Sequence, residues 1–269
     1  MEVKFQKVGY RYQRSCPSFL DDISLKFQEG TINSIIGNNG CGKSTILKLI
    51  SGVLKPSKGK IFINDIVYTS RSNFQDVDNI MMEVGYLPQI LSDKVNCKTV
   101  LEEINSKDIE KIEEIFKLLN IPSNILSEEY SFLNNMMKRK VALSKLLIYN
   151  PNIIVLDEPT TGMDNNTKKS LINYLIKLKK IENKIIIIAS NDIDFINRIS
   201  DNVIVLENGK VIKSEKKSEI FRDVNFFYTH NLSIPKIIEF ENLVLQEKGI
   251  RLGYRDEIND LIKDILRKC

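Results

Sequence analysis

Long apolar runs are missing from this chain. The longest, Ile185-Ile186-Ile187-Ile188-Ala189, is far short of the roughly 20 residues that cross a bilayer, and it reads as a buried parallel strand. Paired cysteines are missing too. Cys16, Cys41, Cys97 and Cys269 show no C-x-x-C spacing, so a reducing compartment without a disulfide framework is expected. The opening residues Met1-Glu2-Val3-Lys4-Phe5 lack a leader pattern, so no export signal is expected. Neither sign of charge dominates: 39 Lys and Arg stand against 35 Asp and Glu, a net +4. The densest basic run, Lys138-Arg139-Lys140, is weak support for nucleic-acid binding. It is expected to be a solvated helix face or a partner contact. No internal repeat or low-complexity tract stands out.

What is present is an ordinary soluble balance, 42% apolar and 28% charged over 269 residues. That length holds one large α/β domain and a small appendage around a proper buried core. The chain is organised around Gly37-Asn38-Asn39-Gly40-Cys41-Gly42-Lys43-Ser44-Thr45, which fits G-x-x-x-x-G-K-[ST]. In such a loop glycines let backbone N–H groups close around phosphates, a lysine reaches the β/γ-phosphates, and a serine hydroxyl meets Mg²⁺. Thr31–Ile36 before it is strand-like and Ile46–Ile50 after it reads as a helix, the context the motif requires.

Along the chain, alternation at Val3, Phe5, Val8, Ile23, Leu25 and Phe27 predicts two strands joined by a loop. A strand at 60–63 follows the turn Lys55-Pro56-Ser57-Lys58-Gly59. Residues 70–78 are polar and expected to be loop, and a strand at 83–87 runs into Pro88-Gln89. Thr99-x-x-Glu102 is a capping box that opens a mostly helical stretch to Leu119, broken by Pro122. A helix from about Lys138 to Tyr149 leads into the strand Ile153–Leu156, which delivers Asp157-Glu158 at its carboxyl end. Helix, strand, helix and strand then alternate to Leu206 and the turn Asn208-Gly209. From about residue 223 the pattern changes to a helical tail, with a helix opened by Pro235 and a last one carrying Ile258, Leu261, Ile262, Ile265 and Leu266 on one face.

A phosphate loop alone leaves kinases, GTPases and motor ATPases open. Asp157 at a strand end can hold Mg²⁺, usually through water, and Glu158 is placed to orient or deprotonate an attacking water. With Leu156-Asp157-Glu158-Pro159-Thr160 followed by Thr161-Gly162-Met163-Asp164, residues 3–222 resemble the ATP-binding subunits of ABC transporters. The resemblance implies an α/β fold: a P-loop NTPase core with a mixed sheet, an antiparallel β subdomain and a helical subdomain at about 90–150, plus a small C-terminal helical unit. It implies ATP and Mg²⁺ as ligands. It places Tyr12 as the aromatic that stacks on adenine, Gln89 as the loop glutamine that senses Mg²⁺ and the attacking water, and Asp164 as the loop aspartate facing an opposite subunit.

Two departures limit what the resemblance implies. The family's signature, leucine-serine-glycine-glycine-glutamine, reaches the γ-phosphate from a partner subunit. Here the equivalent residues are Leu133-Asn134-Asn135-Met136-Met137. Asn134 can donate one hydrogen bond and Asn135 tolerates a left-handed conformation, but Met136 and Met137 add bulk without a useful donor. The switch histidine is replaced by Asn191, and the sole histidine, His230, lies in the tail. Asparagine can hydrogen-bond a phosphate but cannot carry charge. Nucleotide binding is therefore expected to be less affected than turnover.

The tail, through Ile234-Pro235-Lys236-Ile237, Leu245–Ile250 and Arg255–Ile258, looks like the C-terminal helices of the ATPases of energy-coupling factor and cobalt-type importers. That resemblance implies a peripheral subunit at the cytoplasmic face of the membrane, paired as an asymmetric heterodimer with a paralogous ATPase, or else with a second copy, through residues 223–269. It also implies an integral membrane coupling protein and a substrate-capture protein for vitamins or metal ions. A nucleotide-binding regulatory or structural subunit with little hydrolysis is the alternative. A DNA- or ribosome-acting ATPase is poorly supported, since such proteins resemble paired cassettes or cassettes split by coiled coils, and no nucleic acid is expected as a partner.

Overall fold

A computed structural model describes residues 1–13, 15, 17–91, 99–249, 253–254 and 260–263. In chain order these form β1 (Glu2–Tyr10), β2 (Leu20–Gln28), β3 (Thr31–Ile36), α1 (Lys43–Ile50), β4 (Lys58–Ile63), β5 (Ile66–Tyr68), α2 (Phe74–Glu83) and β6 (Val84–Leu87). There follow α3 (Val100–Ile104), α4 (Ile109–Leu118), two short 3₁₀ turns, α5 (Asn135–Tyr149), β7 (Ile153–Asp157), α6 (Asn165–Glu182), β8 (Ile185–Ala189) and α7 (Ile193–Ile199). The hairpin of β9 (Asn202–Glu207) and β10 (Lys210–Lys216) precedes α8 (Lys217–Ile220), α9 (Val224–Thr229) and α10 (Lys236–Lys248).

The strands make two sheets. One is antiparallel, in the order β2-β1-β4-β5, and its alternation sends Val3, Phe5, Ile23 and Phe27 inward. The other runs β10-β9-β3-β8-β7-β6, with β9, β3, β8, β7 and β6 parallel and only β10 reversed. The reversal is a two-residue turn: Asn208 and Gly209 both have positive φ, the geometry that matches strand twist in a hairpin. β7 and β8 are buried at every position, as central parallel strands covered on both faces must be. Period-two alternation divides them between two cores. Ile154, Leu156, Ile186 and Ile188 pack on the helical side, and Ile153, Val155, Ile185 and Ile187 pack against α1 and the antiparallel sheet.

This is the expected α/β architecture, with local corrections. The polar stretch at 70–78 is not all loop. Asn73 and Asp76 form a reciprocal capping box that starts α2 at Phe74, a pattern masked because Ile80 is that helix's one fully buried residue. The capping box at Thr99 and Glu102 is present, but its helix stops at Asn105, which adopts a left-handed conformation, before α4 resumes. α5 begins at Asn135 rather than Lys138.

The tail shares the core of the main body. Phe227 and Ile238 belong to the helical-side cluster, and Phe221 stacks on Phe227 at 5.5 Å. Lys236 N–H donates to Asp194 on α7. Of the expected last helix, 260–263 is helical with Leu261 buried; Ile258, Ile265 and Leu266, like Ile250 and 255–257, lie outside the described residues. So do Cys16, Cys97 and Cys269, while Cys41 is a free, buried thiol.

Candidate nucleotide site

The order β3-β8-β7-β6 brings four loops to one edge of the sheet. The strands are parallel and in register, with Ile35 beside Ala189, Ala189 beside Asp157, and Leu156 beside Leu87. Their carboxyl ends therefore release the Gly37–Gly42 loop, Ser190-Asn191, Asp157-Glu158 and Pro88-Gln89 side by side. Ligands of open α/β sheets bind at this edge. A cleft of about 200 Å³ is lined there by Tyr12, Phe19, Asn39, Gly40, Gly42, Lys43, Ser44, Thr45, Gln89, Asp157, Glu158 and Asn191. Residues up to 179 positions apart in the chain thus share one wall.

The loop's glycines answer to sterics. A Cβ on Gly37 would fall 2.1 Å from the Leu206 carbonyl oxygen, and one on Gly42 would fall 2.6 Å from Leu20 Cδ2; both glycines have positive φ. Cys41 N–H donates to Asn38 O and Gly209 N–H to Cys41 O, which tethers the loop to the β9–β10 turn. Burial pushes the Cys41 thiol above its ordinary range. Lys43 is buried, and its Nζ donates to Gly37 O at 2.7 Å and Asn38 O at 3.2 Å. Its cation is thereby aimed along the loop. Gly37, Asn38 and Cys41 belong to the loop but not to the cleft lining. Gly37 and Asn38 border a neighbouring recess with Asn39, Ser190 and Asn191.

Asp157 is 2% exposed. Burial raises its carboxyl above the ordinary range, against the Ser44 hydroxyl bonded to it and the charges of Arg139, Lys48 and Lys43. Its Oδ2 is buried and has no hydrogen-bond partner among the described residues. A carboxylate oxygen left bare in this way, next to a serine hydroxyl and with Gln89 on the same wall, suits a hard cation that keeps waters and takes most of its other ligands from phosphate. Among the described residues no group of three His, Cys, Asp or Glu side chains could cage a metal alone.

Glu158 is held by the next strand. Its Oε2 accepts from Ser190 Oγ and its Oε1 from Asn191 N–H, both at 2.8 Å, and its own N–H donates to Ala189 O at 2.8 Å. Glu158 has φ +50°, a conformation uncommon for a residue with a Cβ and found where a turn must aim a side chain. The two carboxylates are thus in different settings: one dry and partly bare, the other hydrogen-bonded and half-buried. Asn191 Nδ2 donates to Asn39 Oδ1 at 3.1 Å, joining the loop after β8 to the phosphate loop.

Tyr12 is 57% exposed, with its ring edge-on to Tyr10 and Phe19 and its hydroxyl 2.8 Å from Thr45 Oγ1. Phe19, on the approach to β2, was not a candidate; only its place in the fold marks it. His230 lies away from the cleft, its Nδ1 3.0 Å from Glu207 and its carbonyl accepting from Asn38 Nδ2.

Leu133, Asn134, Asn135, Met136, Met137 and Asp164 do not line this cleft. Asn134 is the N-cap of α5, its Oδ1 accepting from Met137 N–H at 2.8 Å. Met136 is 45% exposed and lies over Gly162, where a Cβ would meet its Cγ at 3.2 Å. Asp164 caps α6 through Thr167 N–H and Oγ1, and the Thr167 backbone bond leads the effects that lower its carboxyl pKa.

The basic run 138–140 is not the solvated face expected. Arg139 is 7% exposed and Lys140 is also buried, the latter donating to Asn120 O. Arg139 donates from Nη1 to the carbonyls of Pro88 (3.0 Å) and Gln89 (2.6 Å), and from Nη2 to those of Asp157 and Glu158 (2.8 Å). The sequence held one signal: Arg139, Leu143, Leu146 and Leu147 share a helix face, and the three leucines are buried.

Comparison with known proteins returns a consistent set. The ABC transporter family profile matches residues 20–161. The energy-coupling factor transporter ATP-binding protein EcfA2 of Ligilactobacillus salivarius is 30% identical over 98% of this chain and 97% of its own length. EcfA3 of Oenococcus oeni is 31% identical over 89% and 88%. Among solved structures, a dimeric post-hydrolysis state of the ATP-binding cassette MJ0796 bound to ADP and Pi has a TM-score of 0.72 at 26% identity, covering 80% of this chain and 98% of that one. The cbiO1 protein of Clostridium perfringens, part of a cbiONQ transporter complex, has a TM-score of 0.69 at 25% identity, covering 89% and 98%.

Proposed function

The chain belongs to the ABC transporter family, among the ATP-binding proteins of energy-coupling factor transporters, and from that premise we propose that it binds Mg-ATP in the cleft at the sheet edge and hydrolyses it slowly to power an importer. The observation that carries this is the convergence of Lys43, Ser44, Asp157, Glu158, Gln89 and Asn191 on one cleft. In this reading Gly37 to Thr45 wrap the phosphates and Lys43 neutralises the β/γ-phosphate oxygens. Tyr12 packs against the base. Ser44 and Asp157, with Gln89, hold Mg²⁺, which when bound withdraws charge from the phosphate oxygens. Glu158 accepts the proton of the attacking water, with Ser190 and the Asn191 N–H keeping the carboxylate aimed.

The second half of the site comes from another subunit, a paralogous ATPase or a second copy. Asp164 and the α5 terminus at Leu133, Asn134, Asn135, Met136 and Met137 face that subunit's nucleotide. Pairing also uses the tail, and the exposed apolar residues Phe240, Leu243 and Leu245 on α10 support this. ATP binding closes the pair and hydrolysis reopens it, moving an integral membrane coupling protein that carries a substrate-capture protein for a vitamin or metal ion. No helix among the described residues is long and apolar enough to cross a membrane, which is compatible with a peripheral place on the cytoplasmic face. Asn191 and the two methionines favour restricted turnover, and in the limit a subunit that clamps ATP without cleaving it. Glu158→Gln in the assembled complex separates the two: hydrolysis and transport fall about 10²–10⁴-fold if Glu158 takes the proton, with ATP affinity retained. Transport unaffected by the substitution would leave the clamp as the function.

A further inference from the structure

Arg139 has no part in the roles assigned above, yet it touches the two loops that carry most of them. Beyond Leu87 and Leu156 the register between β6 and β7 ends, while Asp157 stays paired with Ala189 on the other side of β7, so the Gln89 loop and the Asp157-Glu158 turn are no longer joined to each other by strand pairing. The Arg139 guanidinium supplies donors to the carbonyls of Pro88, Gln89, Asp157 and Glu158. A planar fork with five N–H groups can do this; a lysine ammonium, with three donors on a point, cannot span both loops.

The cost of burying this cation is visible. Burial lowers the Arg139 pKa, with Asp157 and then Glu158 opposing the shift. A guanidinium that only fastened the fold would be expected to be saturated and surrounded by saturated neighbours. Instead Arg139 Nε, Asp157 Oδ2 and the Tyr86 hydroxyl are all buried without a partner among the described residues. Burial, and then the Asp157 charge, push the Tyr86 hydroxyl above its ordinary range. The unsatisfied atoms of the cluster thus include an oxygen of the candidate cation ligand Asp157.

We propose that Arg139 is a positioning residue for ATP hydrolysis: one guanidinium holds the Gln89 loop and the Asp157-Glu158 turn in a single register and ties both to the N-terminal turn of α5. That turn begins at Asn135, about 6 Å along the helix axis from Arg139. A partner nucleotide seating on Asn134 to Met137 would move the guanidinium, and with it the glutamine and glutamate of this chain's own site. This coupling rests on the paired-subunit reading above; the positioning of the two loops does not.

The test uses the full chain with its partner subunit and the substitutions Arg139→Lys and Arg139→Met. Lysine reaches one loop and methionine neither. The expected result for Arg139→Lys is a melting temperature near wild type and Mg²⁺-free ATP affinity within about threefold, while kcat falls roughly a hundredfold with KM little changed, as displaced catalytic groups produce. The Mg²⁺-dependent gain in ATP affinity should shrink in the same variant. Wild-type kcat in either variant overturns the proposal, as does a loss of kcat matched by equal losses of Mg²⁺-free affinity and melting temperature. If wild type turns over no faster than Glu158→Gln, the hydrolysis reading fails, and the Mg²⁺ dependence of ATP binding in Arg139→Lys still decides this one. Should neither variant fold, amide exchange on wild type decides: Mg²⁺ with a non-hydrolysable ATP analogue should change protection at 85–90 and 157–163 together, and a change confined to one loop overturns the proposal.

Discussion

At the sheet edge several groups have a holder: Lys43 is fastened to two loop carbonyls, Glu158 to Ser190 and Asn191, and the two loops between them to Arg139, while Asp157 Oδ2 has no partner among the described residues. At the start of α5 the corresponding surface carries Asn134, busy capping its own helix, and Met136, folded over Gly162. The first region is preorganised for phosphate and metal. The second presents an asparagine amide and helix-terminal N–H groups, but no glycine that would let backbone close on a phosphate. The contrast indicates that the chemistry gathered in the cleft is better held than the chemistry that the proposed pairing would lend to another subunit.

Three experiments can break or sharpen that contrast. Asp157→Asn should have the largest effect, a fall in turnover of about a hundredfold or more with loss of the Mg²⁺-dependent gain in ATP affinity. It carries an opposite signature in stability. Because burial raises the Asp157 carboxyl in the folded state, its contribution is favourable when protonated, fully present below the ordinary carboxylate pKa, and lost as pH rises through the raised value. At neutral pH without nucleotide or Mg²⁺ the variant should therefore melt above wild type, the gap closing as pH falls into the carboxylate range. Calorimetry over that range checks it, and a variant melting below wild type at neutral pH would show that the retained half is not held at a cost in stability.

Restoring the signature, with Asn134→Ser, Asn135→Gly, Met136→Gly and Met137→Gln together, addresses the lent half. Single-turnover hydrolysis at the partner's composite site should rise about tenfold, the worth of one recovered hydrogen bond of about 1.4 kcal/mol, while ATP affinity at this chain's own loop stays put. No change would mean that the methionines are not limiting. Asn191→His should give the smallest effect, about three- to tenfold faster turnover at this chain's own site, largest below about pH 6.5 where a free imidazole carries charge. A pH–rate profile without a new inflection would argue against the switch position.

Much of the site was legible because its chemistry is local in sequence. The phosphate loop needs its glycines, lysine and serine at fixed spacing, and Asp157-Glu158 ends an apolar strand. Other features were not legible for physical reasons. α2 was hidden because one buried isoleucine gives no stripe. Three basic residues in a row read as surface, although Arg139 lies on a leucine-lined face of α5. Phe19 joins the cleft from a loop whose path no local pattern dictates.

By itself the sequence determined the phosphate-binding chemistry, the order of strands and helices, and the places where that chemistry is altered, since these follow from residue type and spacing. Tertiary structure alone decided that Gln89, Asp157, Glu158 and Asn191 meet, that Asp157 is left with a bare oxygen, and that one arginine binds two loops. Those properties depend on which strands are neighbours and on which donors reach a dry site. Both are settled by packing between segments far apart in the chain.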